Sequence, residues 1–161
     1  MANKKPNASD VEKAKRRMEF MERAANSRGI QATKTEPTEN GGVYNFVDDV
    51  SPYLELYWAH DVGTDGKASA ELCLWFMDNP EREYSYCFYV LYYPDIDTWE
   101  FGYEKSADSL HESSKAKRLA QEAFGFEEPG FRDVDEPSAL AIINALCAGF
   151  ASTIPKKDKD S

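Results

Sequence analysis

The stretch Tyr84-Ser85-Tyr86-Cys87-Phe88-Tyr89-Val90-Leu91-Tyr92-Tyr93 decides the fold. It holds no charge, glycine or proline over ten residues and is rich in aromatic side chains, so it reads as a β-strand. Alternation puts Tyr84, Tyr86, Phe88, Val90 and Tyr92 on one side, and Cys87, Tyr89, Leu91 and Tyr93 on the other. A strand that is apolar on both sides belongs in the middle of a sheet.

Turn residues bracket this strand, with Asp78-Asn79-Pro80 before it and Pro94-Asp95-Ile96-Asp97 after it. Residues 69–77 and 98–103 read as the next strands outward. Further upstream lie strands over 53–60 and 43–47, separated by Asp48-Asp49-Val50-Ser51-Pro52. Short strands joined by short turns describe an antiparallel meander.

The hydrophobic period is helical on either side of this block. Residues 9–28 are strong helix formers, and Ser9 with Glu12 has capping-box spacing. Val11, Ala14, Met18, Met21 and Ala25 form a narrow stripe, and Gly29 is a suitable C-cap. Residues 31–42 read as a linker ending in Gly41-Gly42. After the sheet, Ser106 can cap a helix to about residue 124, with Leu110, Leu119, Ala120 and Ala123 on one side and Gly125 as its stop. Pro137 opens a last helix over about 137–152, with Leu140, Ile143, Cys147 and Phe150 on one face.

The expected order is α-β-β-β-β-β-α-α. It is an α+β fold with a five-stranded antiparallel meander, preceded by one helix and followed by two, the helices lying against one face. The expected organisation is a disordered arm over 1–7, a single domain over 8–154 and a tail over 155–161. The domain divides into a basic helix (8–29), a linker (30–42), an acidic aromatic sheet (43–104) and a helical pair (105–154).

A length of 161 residues fits one domain, and 42% hydrophobic residues suffice for a core. No apolar run reaches the length of a transmembrane helix, and the first residues lack the apolar segment of a secretion signal. Cys73, Cys87 and Cys147 make an odd count inside apolar stretches, which points to buried thiols and a reducing cytoplasm.

The net charge of −10 is unevenly spread. Residues 1–35 carry nine basic and four acidic groups, net +5, whereas residues 36–104 carry two basic and fifteen acidic groups, net −13. The acidic segment also holds sixteen of the 21 aromatic residues. Alternation places Tyr53, Glu55 and Tyr57 on one face of their strand, Glu71, Cys73 and Trp75 on one face of the next, and Thr98 with Glu100 on another. The opposite positions are Leu54, Leu56 and Trp58, then Leu72, Leu74 and Phe76, then Trp99, Phe101 and Tyr103, which make the better core. If helices cover that core face, the mixed carboxylate and aromatic face points outward. Aromatic rings with a polar rim are what partner-binding surfaces use. The structural alternative is that these rings only brace the sheet through cross-strand pairs and that the basic helix neutralises the acidic block within the molecule.

No catalytic, cofactor or metal motif stands out. His60-Asp61 pairs a potential base with a carboxylate, but neighbours on a strand point to opposite faces, and the expectation is a solvent-facing histidine. Asp61 to Gly66 begins like a calcium loop yet has Leu72 where a bidentate Glu is required, so it reads as a hairpin turn. Asp48-Asp49 and Asp95, Asp97 sit in turns, where aspartate is common. Lys13, Lys15, Arg16, Arg17, Arg23 and Arg28 make the first helix basic, but Glu12, Glu19 and Glu22 interleave with them and stacking aromatics are lacking.

The expectation is therefore a cytoplasmic protein-binding module without a cofactor, leaning away from catalysis. Its most concrete form is a small acidic inhibitor or adaptor, of the kind phages and mobile elements encode, that engages a basic, nucleic-acid-handling protein. The expected contact residues are Tyr53, Glu55, Tyr57, Glu71, Trp75 and Glu100. Net negative charge opposes direct nucleic-acid binding and favours fast association with basic partners. An acidic chaperone, a ligand-binding protein or enzyme with a pocket between the sheet and the C-terminal helices, and a self-assembling component or homodimer remain alternatives.

Overall fold

The computed structural model describes residues 5–77, 84–105 and 114–155. Its elements are α1 (Ala8–Asn26), β1 (Lys34–Pro37), β2 (Val43–Val47), β3 (Leu54–Val62), β4 (Ala68–Met77), β5 (Tyr84–Tyr93), β6 (Thr98–Lys105), α2 (Ser114–Glu122), β7 (Gly130–Val134) and α3 (Glu136–Ala151). All the strands form one antiparallel sheet in sequence order, β1 through β7. The α+β class and the meander hold, but the sheet has seven strands where five were expected.

The two additional strands are the edges. β1 lies inside the stretch read as a linker, and β7 inside the loop before α3. Neither carries a sequence signal: β1 is Lys-Thr-Glu-Pro, exposed throughout, and β7 is Gly-Phe-Arg-Asp-Val with one aromatic. They become strands because β2 and β6 offer unpaired backbone groups to them, a tertiary cause that local propensity does not encode. Pro37 in β1 and the charges on both edges discourage a further strand from adding.

Cap chemistry sets the helix ends. Asn7, rather than Ser9, caps α1, its Oδ1 accepting from the backbone N–H groups of Ser9 (2.9 Å) and Asp10 (3.2 Å). Gly29 takes φ +78°, and the N–H groups of Ile30 and Gly29 donate to the carbonyls of Ala25 and Asn26, closing the helix. Asp135 caps α3 through the N–H of Ser138 at 2.8 Å. Ser106 and Leu110, expected in the second helix, lie outside the described residues.

α1 and α3 pack side by side on one face of the sheet, the face expected to be the core. Leu56 and Trp58 of β3, Leu72 and Leu74 of β4, Phe88 and Val90 of β5 and Phe101 of β6 are buried there in one cluster with Met18 and Met21 of α1 and Ile143, Leu146 and Phe150 of α3. Each contributes roughly 1.5–3 kcal/mol by leaving water. Polar contacts fix the layer in register. Trp58 Nε1 donates to Glu22 Oε2 at 3.1 Å. Arg17 lies 4.6 Å over the Tyr92 ring and 3.4 Å from Glu136, tying α1 to the start of α3. Arg28 donates to Asn144 Oδ1 at 3.1 Å.

His60 corrects an expectation. It is buried on the helix side of β3, and desolvation, with the Lys15 ammonium on α1, pushes its pKa down. α1 reaches over the end of β3, which strand position alone did not reveal. Asp61 points to the opposite face, as alternation requires, and accepts from the Thr38 hydroxyl at 2.6 Å. The turn after β3 is a hairpin: Gly66 has φ +80°, and Asp65 accepts from the Lys67 N–H. Among the described residues, no helix is long and apolar enough to cross a membrane.

Candidate functional site

Because α1 and α3 occupy one face, the other face of the sheet has no helix on it among the described residues. Strand register assembles that surface residue by residue. One row runs Phe46, Tyr57, Cys73, Tyr89, Gly102 and Phe131 from β2 to β7. The next runs Glu36, Tyr44, Ala59, Glu71, Leu91, Glu100 and Asp133. A third sets Glu55 beside Trp75, then Cys87 and Glu104.

The rings of this face roof its small residues. Tyr44 stacks on Phe46 at 6.0 Å, Tyr57 tilts against both, and Trp75 meets Tyr89 edge-on at 6.2 Å. Pairs of this kind contribute about 0.5–1.5 kcal/mol each beyond burial. Gly102 is the gap in the roof, and Phe131 fills it: a Cβ on Gly102 would fall 2.1 Å from the Phe131 ring, which itself stacks against Tyr89. Cys73 and Cys87 are consequently buried and free, although no described helix lies over them. Burial pushes the Cys73 thiol up, away from thiolate chemistry. The second apolar side of β5, foreseen from its sequence, is thus shielded by its own neighbours.

Glu71 is a half-buried carboxylate of the face, set among its tyrosines. Tyr44 donates to its Oε1 at 3.2 Å, and Tyr57 is a second hydrogen-bonding neighbour. Desolvation outweighs both bonds and raises the Glu71 pKa. Burial, then the Glu71 charge, likewise raises the pKa of Tyr44. Raised pKa in the folded state means that ionised Glu71 costs stability at neutral pH, and that the cost disappears as pH falls through the folded and then the unfolded value. Glu71→Gln, which keeps an acceptor for Tyr44, is expected to raise the melting midpoint at pH 7 by a few degrees. The gain should shrink towards zero by about pH 4, near the unfolded carboxylate pKa. Thermal melts at both pH values check this, and an equal gain at both would show that Glu71 ionisation is not the cause.

A groove of about 400 Å³ opens at one end of the face. Phe46, Tyr57 and Trp75 line it together with Lys34, Glu36, Asp48 and Glu55. Lys34 and Glu36, two positions apart on β1, pair at 2.8 Å, which holds the ammonium above its ordinary range. Asp48 accepts from the Thr33 hydroxyl at 2.6 Å. On the helix side, the space bounded by Tyr86, Tyr103, Lys117, Gln121 and Phe126 is only about 90 Å³, well below the few hundred Å³ of ordinary ligand clefts.

Of the six residues singled out from sequence, Glu55, Tyr57, Glu71, Trp75 and Glu100 lie on this face. Glu55, Tyr57 and Trp75 meet at the groove, Glu71 is half-buried, and Glu100 sits two strands further across. Tyr53 precedes β3, is half exposed, and its carbonyl accepts the Met77 N–H at 2.8 Å. Sequence reasoning missed Tyr44 and Phe46, whose alternation with Val43, Asn45 and Val47 was a usable signal. It also missed Phe131, Lys34 and Glu36, which join the face only through edge-strand pairing. No cluster of three or more His, Cys, Asp or Glu suited to a metal ion occurs among the described residues.

The chain matches no known protein family, no curated protein and no solved structure, so its function is argued from the chemistry of this face.

Proposed function

We propose that this chain is a protein-binding module whose uncovered sheet face engages a basic protein surface. One observation carries the reading: a continuous sheet face, clear of both core helices, is paved with aromatic rings and edged by carboxylates. Among the described strand residues on that face, Glu36, Glu55, Asp61, Glu71, Glu100, Glu104 and Asp133 stand against one cation, Lys34. The basic helix does not neutralise it, because α1 packs on the opposite side, with its Arg17 on Glu136 of α3 and Arg28, just beyond its end, on Asn144. Carboxylates supply long-range steering, and the rings supply anchors that lose water on docking. In its concrete form the module is an inhibitor or adaptor for a nucleic-acid-handling protein, because such proteins present the cationic surfaces this face complements. A phage or mobile-element origin and a reducing cytoplasm fit that role.

The test reverses two half-buried carboxylates of the face, Glu55 and Glu100, and the exposed edge residue Asp133. Glu71 is unsuitable, because a lysine there would be buried among tyrosines. The variant Glu55→Lys, Glu100→Lys, Asp133→Lys is expected to keep its melting profile and to slow association with a partner captured from lysate by about tenfold or more at low salt, with the difference narrowing at high salt. Unchanged association at low salt would mean that this face is not the contact.

A second reading follows from the charge separation between the two sides. Lys13, Lys15, Arg16 and Arg23 are exposed on α1, so a second copy could present them to the acidic face. Salt-sensitive self-association in sedimentation velocity, abolished by the same variant, would favour this reading.

A further inference from the structure

We infer that Asn40 is a self-modification site. Its side-chain amide is lost to the backbone nitrogen of Gly41 at a rate set by opening of the β1–β2 hairpin, and the product releases the edge strand β1. The inference does not depend on what the uncovered face binds.

The sequence supplies the reacting pair. Of the seven asparagines in the chain, Asn40 alone is followed by glycine. Attack of a backbone nitrogen on the preceding asparagine Cγ needs an unhindered nucleophile, and glycine has no Cβ to crowd the approach. In this step the bond from Gly41 N to Asn40 Cγ forms and the Cγ–Nδ2 bond breaks. The proton on the Gly41 nitrogen leaves with Nδ2 as ammonia. One water then opens the five-membered imide at either carbonyl, leaving aspartate or isoaspartate at position 40. No electrons are transferred, and water is the sole co-reactant.

The fold supplies the gate, because both reacting groups are engaged elsewhere. Asn40 Nδ2 donates to the Val62 carbonyl at 2.8 Å, which holds the amide against β3. The Gly41 N–H donates to the Thr38 carbonyl at 3.3 Å, inside the turn. Reaction therefore waits for the turn to open. The turn joins an edge strand to the sheet: β1 is exposed throughout and ends the strand order. Segments with few buried contacts and exposed backbone hydrogen bonds open most readily.

The product undoes the contacts that held the reactant. A carboxylate at position 40 presents an acceptor to the Val62 carbonyl, where the amide presented a donor. It also brings negative charge to the segment holding Asp61, whose Oδ1 accepts from the Thr38 hydroxyl and the Val62 N–H. Isoaspartate adds a methylene to the main chain of the turn, next to the Pro37–Val43 pair, and disturbs the register that joins β1 to β2. Hydrolysis is not reversed, so the hairpin records the age of the molecule.

The experiment incubates the intact protein at mildly alkaline pH, below its melting range, beside the blocked peptide Thr-Glu-Asn-Gly-Gly. Proteolytic digestion and mass spectrometry follow the mass gain of amide-to-acid conversion at each asparagine. Conversion at Asn40 is expected to run about tenfold slower than in the peptide, and ahead of Asn7, Asn26, Asn45 and Asn144. Thr38→Ala removes the hydroxyl that links Gly42 to Asp61 and touches neither reacting group, so it should speed conversion about threefold or more. Asn40→Asp, which stands for one product, should lose hydrogen-exchange protection in β1 and β2 and keep it in β4 and β5. Thermal melts show that both variants are folded.

Equal rates in protein and peptide, or an unchanged rate in Thr38→Ala, overturn the gate. A rate below about a hundredth of the peptide's, or earlier conversion at another asparagine, overturns the site. Full protection of β1 in both Asn40→Asp and the aged protein overturns the release of the strand.

Discussion

Replacing Phe88 with alanine is expected to destabilise the domain by about 4 kcal/mol, the middle of the range for a fully buried phenylalanine. Phe88 is wholly inaccessible on the helix side of β5. Its ring meets Phe76 (5.7 Å), Tyr103 (5.1 Å), Phe101 (5.9 Å) and Phe124 (5.4 Å). Those contacts span β4, β6 and the residues after α2, so no single element can relax into the void. At roughly 2–4 °C per kcal/mol for a domain of this size, the melting midpoint should fall by about 8–16 °C. Urea unfolding with an unchanged m-value is the cleanest measurement. Phe88→Leu, costing about 1–2 kcal/mol, serves if the alanine variant does not accumulate. A loss below about 1 kcal/mol would show that these rings do not form one packed cluster.

Gly42→Ala is the second large effect, expected at about 3 kcal/mol through overpacking. An added Cβ would lie 2.3 Å from the carbonyl oxygen of His60 and 2.7 Å from the Cα of Asp61, both backbone atoms of β3. Backbone in mid-sheet cannot step aside as a side-chain tip can. The same turn is pinned from several directions. Gly42 N–H donates to the Thr38 hydroxyl (2.8 Å), that hydroxyl to Asp61 (2.6 Å), and Asn40 Nδ2 to the Val62 carbonyl (2.8 Å). Pushing Gly42 outward therefore loosens the β1–β2 connection as well as costing stability. Hydrogen exchange should show protection lost first in β1 and β2, whereas Phe88→Ala should lower protection across the whole sheet. Gly41→Ala makes the contrast: nothing lies within 4 Å of its Cβ, but φ +88° is strained for any side chain, so about 1 kcal/mol is expected.

Much of this architecture was legible because its signals are local. Residues 43–47 and 84–93 form strands with the boundaries read from alternation, and the stripe Ala14, Met18, Met21, Ala25 is the buried face of α1. The outward face was legible in part, since alternation correctly separated Glu55, Tyr57, Glu71 and Trp75 from the core positions between them. What failed was non-local. His60 read as solvent-facing because its strand position does not show that α1 crosses above it.

Local signals suffice for the α+β class, the meander and the partition of each central strand into two chemically different faces. Those follow from side-chain period and turn chemistry, which act within a few residues. Tertiary structure alone decided that the sheet has seven strands, whereas a helical layer on one face and an outward acidic aromatic face were already expected from the sequence. It also decided which carboxylate the tyrosines bond and where the groove opens. The physical reason is the same in each case. An edge strand such as Lys34–Pro37 exists because its neighbour's backbone groups need partners. A site assembled from β1, β2, β3 and β4 exists only once cross-strand register has brought those residues together.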